Sequence, residues 1–471
     1  MLSSRTKGVR EAGKPHMAGR RTAAGGLLAA GLAAASAEMT AGAAAFAGSS
    51  LLRAVRRGVP RHAWPSIGAT TTTSVVRRLH FTVAAPGSLT ATRDVPSFPI
   101  YYNDVYEVNL PSGHRFPMDK YRRVRERVQA RLANADGLER SIGVGAGEVR
   151  TSFHISPLAT LDELTTTHCP SYVNRFLTGN QTEDEIRAVG FPWSRQGVDR
   201  ALSSTGGTVA AARAVCEEMR ARSARGGEDG EKEARRAAGT GKGDGTAPPA
   251  WSAHVAGGTH HAFRDRGEGF CVFSDIAVAA NVVLRDYPDV VRRVLIVDLD
   301  VHQGNGNAVL FDGRDDVLTF SLHCSHNYFS EKRRSDLDIE LPAGCTDPTY
   351  LGTLSHWLKR IEAENAVTVE GGKRVGSIDL VFYQAGVDVL ATDRLGRMDL
   401  TARGVRRRDR LVYDFCHRIG SALVVTMGGG YPRGEEWGST IEAHADVYLG
   451  AHQCLSELML SGGTAEGKRD T

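Results

Sequence analysis

Asp298, Asp300 and His302 alternate along Val297-Asp298-Leu299-Asp300-Val301-His302-Gln303-Gly304. Alternate residues of an extended segment share a face. If the extension persists through His302, Asp300 and His302 can aim an oxygen and a nitrogen at one ion, a mixed donor set that suits zinc. The preceding run from Val294 to Val297 is β-branched and aliphatic, as in a parallel strand covered on both faces, and the chain beyond His302 is polar and rich in glycine. The chemistry therefore belongs at the strand's carboxyl end, where open α/β sheets bind ligands. A solvated strand-end loop with an N-cap aspartate accounts for the same triplet.

Three other segments share that character. In Gly257-Gly258-Thr259-His260-His261-Ala262 the adjacent histidines cannot point the same way along an extended chain. One can serve as a general base while the other faces a neighbouring group, although a pair on the surface is the plainer explanation. Gln384-Ala385-Gly386-Val387-Asp388 with Asp393, and Met427-Gly428-Gly429-Gly430-Tyr431, each come after an apolar run. Strand ends thus converge on one polar face.

In this order the GGTHHA, DLDVHQGNG, GVD-x4-D and GGGY segments resemble the zinc-dependent histone deacetylase family of the arginase-like α/β group, and most closely its class IV and bacterial deacetylase-like branch. The resemblance extends from about Phe98 to the C-terminal region. It implies one α/β domain with a mostly parallel sheet, helices on both faces, and the active site at the strand carboxyl ends. It also implies one zinc per chain on Asp300, His302 and Asp393, with His261 as general base and His260 paired with Asp298. Asn305 would orient His261 where class I members have aspartate, and Tyr431 would donate to the developing oxyanion. Phe270 would wall the substrate channel, with Tyr328 or Phe329 opposite and Gly429 beside it. Asp298, Asp300, His302, Ser321 and Leu322 would surround a structural potassium ion, largely through backbone oxygens.

Pattern also indicates the elements that must hold these residues. The 471 residues, 41% of them hydrophobic, can bury one large α/β core with appendages. A net charge of +4 is too small to argue for nucleic-acid binding. The 7 cysteines form no C-x-x-C pair, which suggests reduced thiols. Residues 96–460 form the expected catalytic domain and 461–471 a polar tail. The domain opens with a strand at Phe98-Pro99-Ile100-Tyr101-Tyr102 and the branch-typical His114-Arg115-Phe116-Pro117-Met118, before a helix with Tyr121, Val124, Val128 and Leu132 on one face. Phe191 and Trp193 occupy the neighbourhood where class I enzymes carry a rim aspartate, which weakens the case for clamping a peptide backbone. Residues 221–249 have scarcely an aliphatic side chain and read as a disordered surface insertion. The segment from Ser335 to Pro342 reads as a surface turn. Helices around Tyr350 to Glu364 and Gly404 to Ile419 alternate with strands at Asp379 to Tyr383 and Leu423 to Thr426.

The leading functional expectation is hydrolysis of N-ε-acyl-lysine in proteins, histones among them, by a metal-activated water. Small acyl-amines such as acetylpolyamines are the alternative substrates, and an acyl-lysine binding protein without turnover is the alternative class. A two-manganese ureohydrolase would need a second ligand cluster. Residues 1–95 are rich in Ala, Arg, Ser, Thr and Gly, with Glu11 and Glu38 almost alone against many arginines. That composition resembles a transit peptide. Leu51 to Val59 would form a short basic amphipathic helix, and Arg77-Arg78-Leu79-His80-Phe81 resembles a mitochondrial cleavage region. Gly26 to Ala45 before Phe46 offers a plastid alternative, and Glu38 interrupts it as a membrane span. A reporter fused to residues 1–95 is expected to enter mitochondria, with plastid second. A diffuse nuclear or cytosolic signal refutes import.

Overall fold

The computed structural model describes residues 96–142, 149–237, 250–328, 330–365, 368–370, 373–375 and 377–463, so the leader and residues 464–471 lie outside the described residues. The strands are β1 (Ser97–Tyr102), β2 (Arg150–Ile155), β3 (Trp251–His254), β4 (Val294–Asp298), β5 (Val317–Cys324), β6 (Leu337–Leu341), β7 (Thr368–Glu370), β8 (Lys373–Val375), β9 (Leu380–Gln384) and β10 (Ala422–Thr426). Eight of them form a sheet in the order β2-β1-β3-β10-β9-β4-β5-β6, and every pairing in it is parallel. The antiparallel β7–β8 pair stands apart.

The helices are α1 (Lys120–Ile142), α2 (Leu161–Thr165), α3 (Pro170–Thr178), α4 (Glu183–Val189), α5 (Arg195–Ala237), α6 (Asp275–Asp286), α7 (Asn305–Leu310), α8 (Asp347–Glu364), α9 (Ala402–Ile419) and α10 (Gly438–Gly463). They cover both faces, and the strands divide between them with a period of two. Leu295, Val297, Val381, Tyr383, Leu423 and Val425 pack with Val124 and Val128 of α1, Leu354 of α8, Val412 of α9 and Tyr448 of α10. The intervening Val294, Ile296, Leu380, Phe382 and Val424 pack with Val209 of α5 and Ile276 and Val283 of α6. A sheet buried on both faces explains why these strands read as unbroken apolar runs. No described helix is long and apolar enough to cross a membrane.

Two expectations change. The segment expected to be a disordered insertion begins inside a helix, because α5 continues to Ala237. Its Ala, Arg, Glu and Lys residues favour helix without needing a partner surface, while 238–249 lie outside the described residues. The expected surface turn at Ser335 to Pro342 contains the edge strand β6, in which Leu337, Ile339 and Leu341 alternate with Asp338 and Glu340. Charges on an edge strand keep it from pairing further.

Candidate active site

Four neighbouring strands, β3, β10, β9 and β4, end on one side of the sheet, and the residues in question lie just beyond those ends. Beyond β3 the chain turns through Gly257 and Gly258 at positive φ. A Cβ on Gly258 would stand 2.2 Å from Gln384 Oε1, so the turn needs glycine. Asp275, the first residue of α6, accepts the Gly258 and Thr259 N–H groups at 3.0 and 2.7 Å and fixes the loop that carries the histidines inward.

His260 and His261 are both buried but differently partnered. His260 Nδ1 is 2.7 Å from Asp298 Oδ2. Burial depresses its pKa, but Asp298 and Asp300 outweigh burial and hold it above the ordinary imidazole value. His261 Nδ1 is 2.7 Å from Asn305 Oδ1. That amide is oriented by its other bonds: Gly306 N donates to Oδ1 at 3.0 Å, and Nδ2 donates to Glu268 Oε1 at 3.3 Å. His261 Nδ1 must therefore carry the proton, leaving Nε2 with the lone pair. Burial, then the positive charge of His260 and His302, keeps the His261 pKa well below its ordinary value.

Beyond β4, His302 Nδ1 lies 3.0 Å from Asp300 Oδ1 and 3.2 Å from Asp388 Oδ2. One ligand atom from each of Asp300, His302 and Asp388 falls within 4.8 Å of the others. Val301 N donates to Asp388 Oδ1 at 2.9 Å, whereas Asp388 Oδ2 is buried and faces the His302 ring. Burial and the neighbouring Asp300 raise the Asp388 carboxyl to about 7. Although burial opposes it, Asp300 and Asp388 raise His302 to about 10. Buried carboxylates grouped this closely suit a cation, and an oxygen-nitrogen-oxygen donor set fits zinc.

Asp393, the expected third ligand, is not in this group. Its Oδ1 accepts Leu395 N and Gly396 N at 2.8 Å each, and its Oδ2 accepts Tyr431 N at 2.6 Å. Asp393 thereby fixes the Tyr431 backbone, and Asp388 rather than Asp393 is grouped with Asp300 and His302 among the metal-binding candidates. Gly429, expected beside the channel, is buried against the carboxylates, donating to Asp300 Oδ2 at 2.7 Å, and a Cβ there would meet Asp388 Oδ2 at 2.1 Å.

Tyr431 is buried, and burial followed by the nearby Asp388 and Asp300 keeps its hydroxyl protonated well above the ordinary phenol range. It lines a cleft of about 800 Å³ with His261, His302, Gly269, Phe270 and Tyr328. Phe270 is the one described non-glycine residue at positive φ, 66°. Gly269 and Phe270 donate to Ala188 O and Val189 O at 2.9 and 2.8 Å, which holds that strained turn against the end of α4. The Tyr328 ring stacks on His261 at 4.1 Å and 9°. Phe270 and Tyr328 thus wall the cleft, and Phe329 lies outside the described residues. Phe191 packs with Phe116 and Phe270, and Trp193 donates Nε1 to Phe176 O at 2.7 Å. Asp298 stands opposite Ser321, whose hydroxyl pairs with His323 Nδ1 at 2.9 Å. The side chains around the expected potassium position, Leu322 included, do not single out a monovalent ion.

Several positioning residues carry no motif of their own. Lys120 is fully buried, donates to Gly428 O and Gly430 O at 3.1 and 3.3 Å, and lies 5.3 Å from the Tyr431 ring centre. Burial lowers it to about 8 despite three nearby aspartates. Arg408, also fully buried, pairs with Asp409 at 2.8 Å and donates to the carbonyls of Leu299, Ala385 and Gly386 in the two carboxylate-bearing loops. Asn327 Nδ2 lies 3.1 Å from His302 Nε2. Sequence reasoning missed all three, although a signal existed for the two cations. Lys120 falls in phase with Val124 and Val128, and Arg408 with Val405 and Val412, on otherwise apolar helix faces.

The Histone deacetylase domain family matches residues 114–447. An uncharacterized protein of Picosynechococcus sp. is 35% identical over 336 residues, 71% of this chain and 93% of that protein. Histone deacetylase 2 of Arabidopsis thaliana is 31% identical over 38% of this chain and 44% of its own length. A histone deacetylase-like amidohydrolase of Pseudomonas aeruginosa is 32% identical over 36% of this chain and 45% of its own. These two alignments span less than half of each named relative. The crystal structure of the HDA15 HD domain shares the fold, with a TM-score of 0.51 at 20% identity over 78% of this chain and 93% of that one.

Asp388→Asn and Asp393→Asn separate the two aspartates. After reconstitution with zinc, elemental analysis is expected to find the metal lost from Asp388→Asn and retained by Asp393→Asn, whose turnover falls because Tyr431 is displaced. The opposite pattern of metal content returns Asp393 to the ligand set.

Proposed function

The chain belongs to the histone deacetylase family, a family of hydrolases acting on amides, and from that membership we propose that it hydrolyses N-ε-acyl-lysine in proteins with zinc as cofactor. The observation carrying this reading is that a neutral imidazole, a protonated phenol and the Asp300–His302–Asp388 trio share one buried cluster, with His261, His302 and Tyr431 lining the same cleft. Asp300, His302 and Asp388 would hold the zinc, which would supply Lewis-acid polarisation of the amide carbonyl and a lowered pKa of water.

The protein's own groups do the rest. His261 Nε2 takes the proton of the attacking water and returns it to the leaving amine, while Nδ1–H stays on Asn305. His260, paired with Asp298, retains its proton more readily and supports negative charge developing nearby. The Tyr431 hydroxyl donates to the oxyanion. Phe270 and Tyr328 keep water from the lysine stem between them.

Tyr431→Phe is expected to lower turnover on an acetyl-lysine peptide by roughly 10²- to 10³-fold while zinc content and peptide binding persist. Full activity with normal zinc refutes the oxyanion role, and binding without turnover in the native protein favours an acyl-lysine binding protein.

The pH profile tests the base. Because the His261 pKa is depressed, activity should be held on the acid side to below pH 6.5. Asn305→Asp places a carboxylate on Nδ1, stabilises imidazolium, and should move the acid limb of kcat/KM upward by about 1 unit. An unmoved limb removes His261 as the titrating base.

A further inference from the structure

The outer rim of the cleft differs in charge from its floor. Its lining residues include Arg115, Arg187 and Arg397, together with His114, His326 and Asn327, and no Asp or Glu is among them. Arg394 adjoins the same rim, donating to the Arg115 carbonyl, and Arg397 donates to His326 O at 3.1 Å. Arg115, Arg394 and Arg397 are exposed. Among the described residues none of these three pairs with a carboxylate, whereas Arg187 pairs with Asp184 and with Glu183, the latter at 3.6 Å. The carboxylates of the site itself are buried beneath the mouth and held by backbone N–H groups and histidines. They offer nothing to an incoming cation at the rim.

Resting on the deacylase reading, we infer that the mouth selects acyl-lysine flanked by acidic residues, so the substrate class is an acidic peptide segment of a protein. The arginines surround the entrance rather than the buried end, and so they meet the residues beside the acylated lysine, not the acyl group. The same charge disfavours lysine- and arginine-rich tails and acylated polyamines, which bring positive charge to the rim. Each exposed pair contributes little, so the selection is cumulative. It acts largely through electrostatic steering of encounter and weakens with salt. Guanidinium forks also suit carboxylates geometrically.

The test uses the zinc-loaded full chain and three acetyl-lysine peptides that differ only in flanking residues: Asp/Glu, Gly/Ser, or Lys/Arg. Hydrolysis and fluorescence-anisotropy binding are both measured at low and high ionic strength. The acidic peptide is expected to exceed the basic one about 10-fold or more in kcat/KM and in affinity, with the gap narrowing as salt rises. Arg115→Glu combined with Arg397→Glu should reverse the order, with zinc content and circular dichroism serving as checks of the fold. Equal treatment of the peptides, a preference for the basic one, or a gap indifferent to salt overturns the inference. If none of the peptides is hydrolysed, the deacylase reading fails, and the binding order alone decides whether the rim selects acidic segments.

Discussion

Four aspartates, Asp298, Asp300, Asp388 and Asp393, are buried at or just beyond the ends of adjacent strands, and the site depends on how their charge is held. Carboxylates removed from water are costly unless paired or hydrogen-bonded. Here the partners mostly come from other loops. Gly429 N from the β10 loop serves Asp300 of the β4 loop, Val301 N serves Asp388 of the β9 loop, and Tyr431 N serves Asp393. Each of these three carboxylates therefore ties two strand ends together, so a slip of one strand against another would disturb the whole set. Lys120 and Arg408 reinforce this arrangement through the carbonyls of the same loops. Asp388 Oδ2, which receives no backbone N–H, faces the His302 ring at 3.2 Å.

Much of this was legible in the sequence because the relevant signals were local. A parallel sheet covered on both faces leaves short apolar runs, and Val294–Asp298, Leu380–Gln384 and Ala422–Thr426 are strands where such runs stood. His260 contacts Asp298 and His261 contacts Asn305, the neighbours that the motif resemblance implied. Phe270 and Tyr328 also line the cleft where the resemblance put them.

What was not legible depended on distances between loops. Asp388 and Asp393 come after the same apolar run, five positions apart, and residue type cannot say which carboxylate will stand beside Asp300 and His302. The answer lies in the turn Asp393–Gly396 and in the approach of Tyr431, both tertiary facts. Lys120 and Arg408 were masked differently. A charged residue on an apolar helix face is usually a boundary position with its head in water, and only the glycine-rich loop packed over α1 turns Lys120 into a buried donor. Residues 221–237 show that a lack of apolar residues is not a lack of helix. A long helix whose first turns are anchored in the core needs no new nucleus to continue.

The adjacent histidines show how neighbouring residues of one type acquire opposite chemistry. Their rings are 4.0 Å apart, so protonation of both is disfavoured by repulsion. The choice between them is set by their Nδ1 partners: a carboxylate, Asp298, for His260 and a neutral amide, Asn305, for His261. The carboxylate stabilises imidazolium, and the amide only fixes the tautomer. Protonation is therefore favoured at His260 over His261, and a charge on His260 lowers the proton affinity of His261. An aspartate in place of Asn305 would make the two environments alike and weaken that division. With Asn305 present, the division needs no conformational change: His261 is biased toward the neutral form, its free nitrogen directed by the bond on its other side, and the carboxylates favour a proton on His260. Replacing one carboxylate by an amide of nearly the same shape thus sets which histidine can accept a proton.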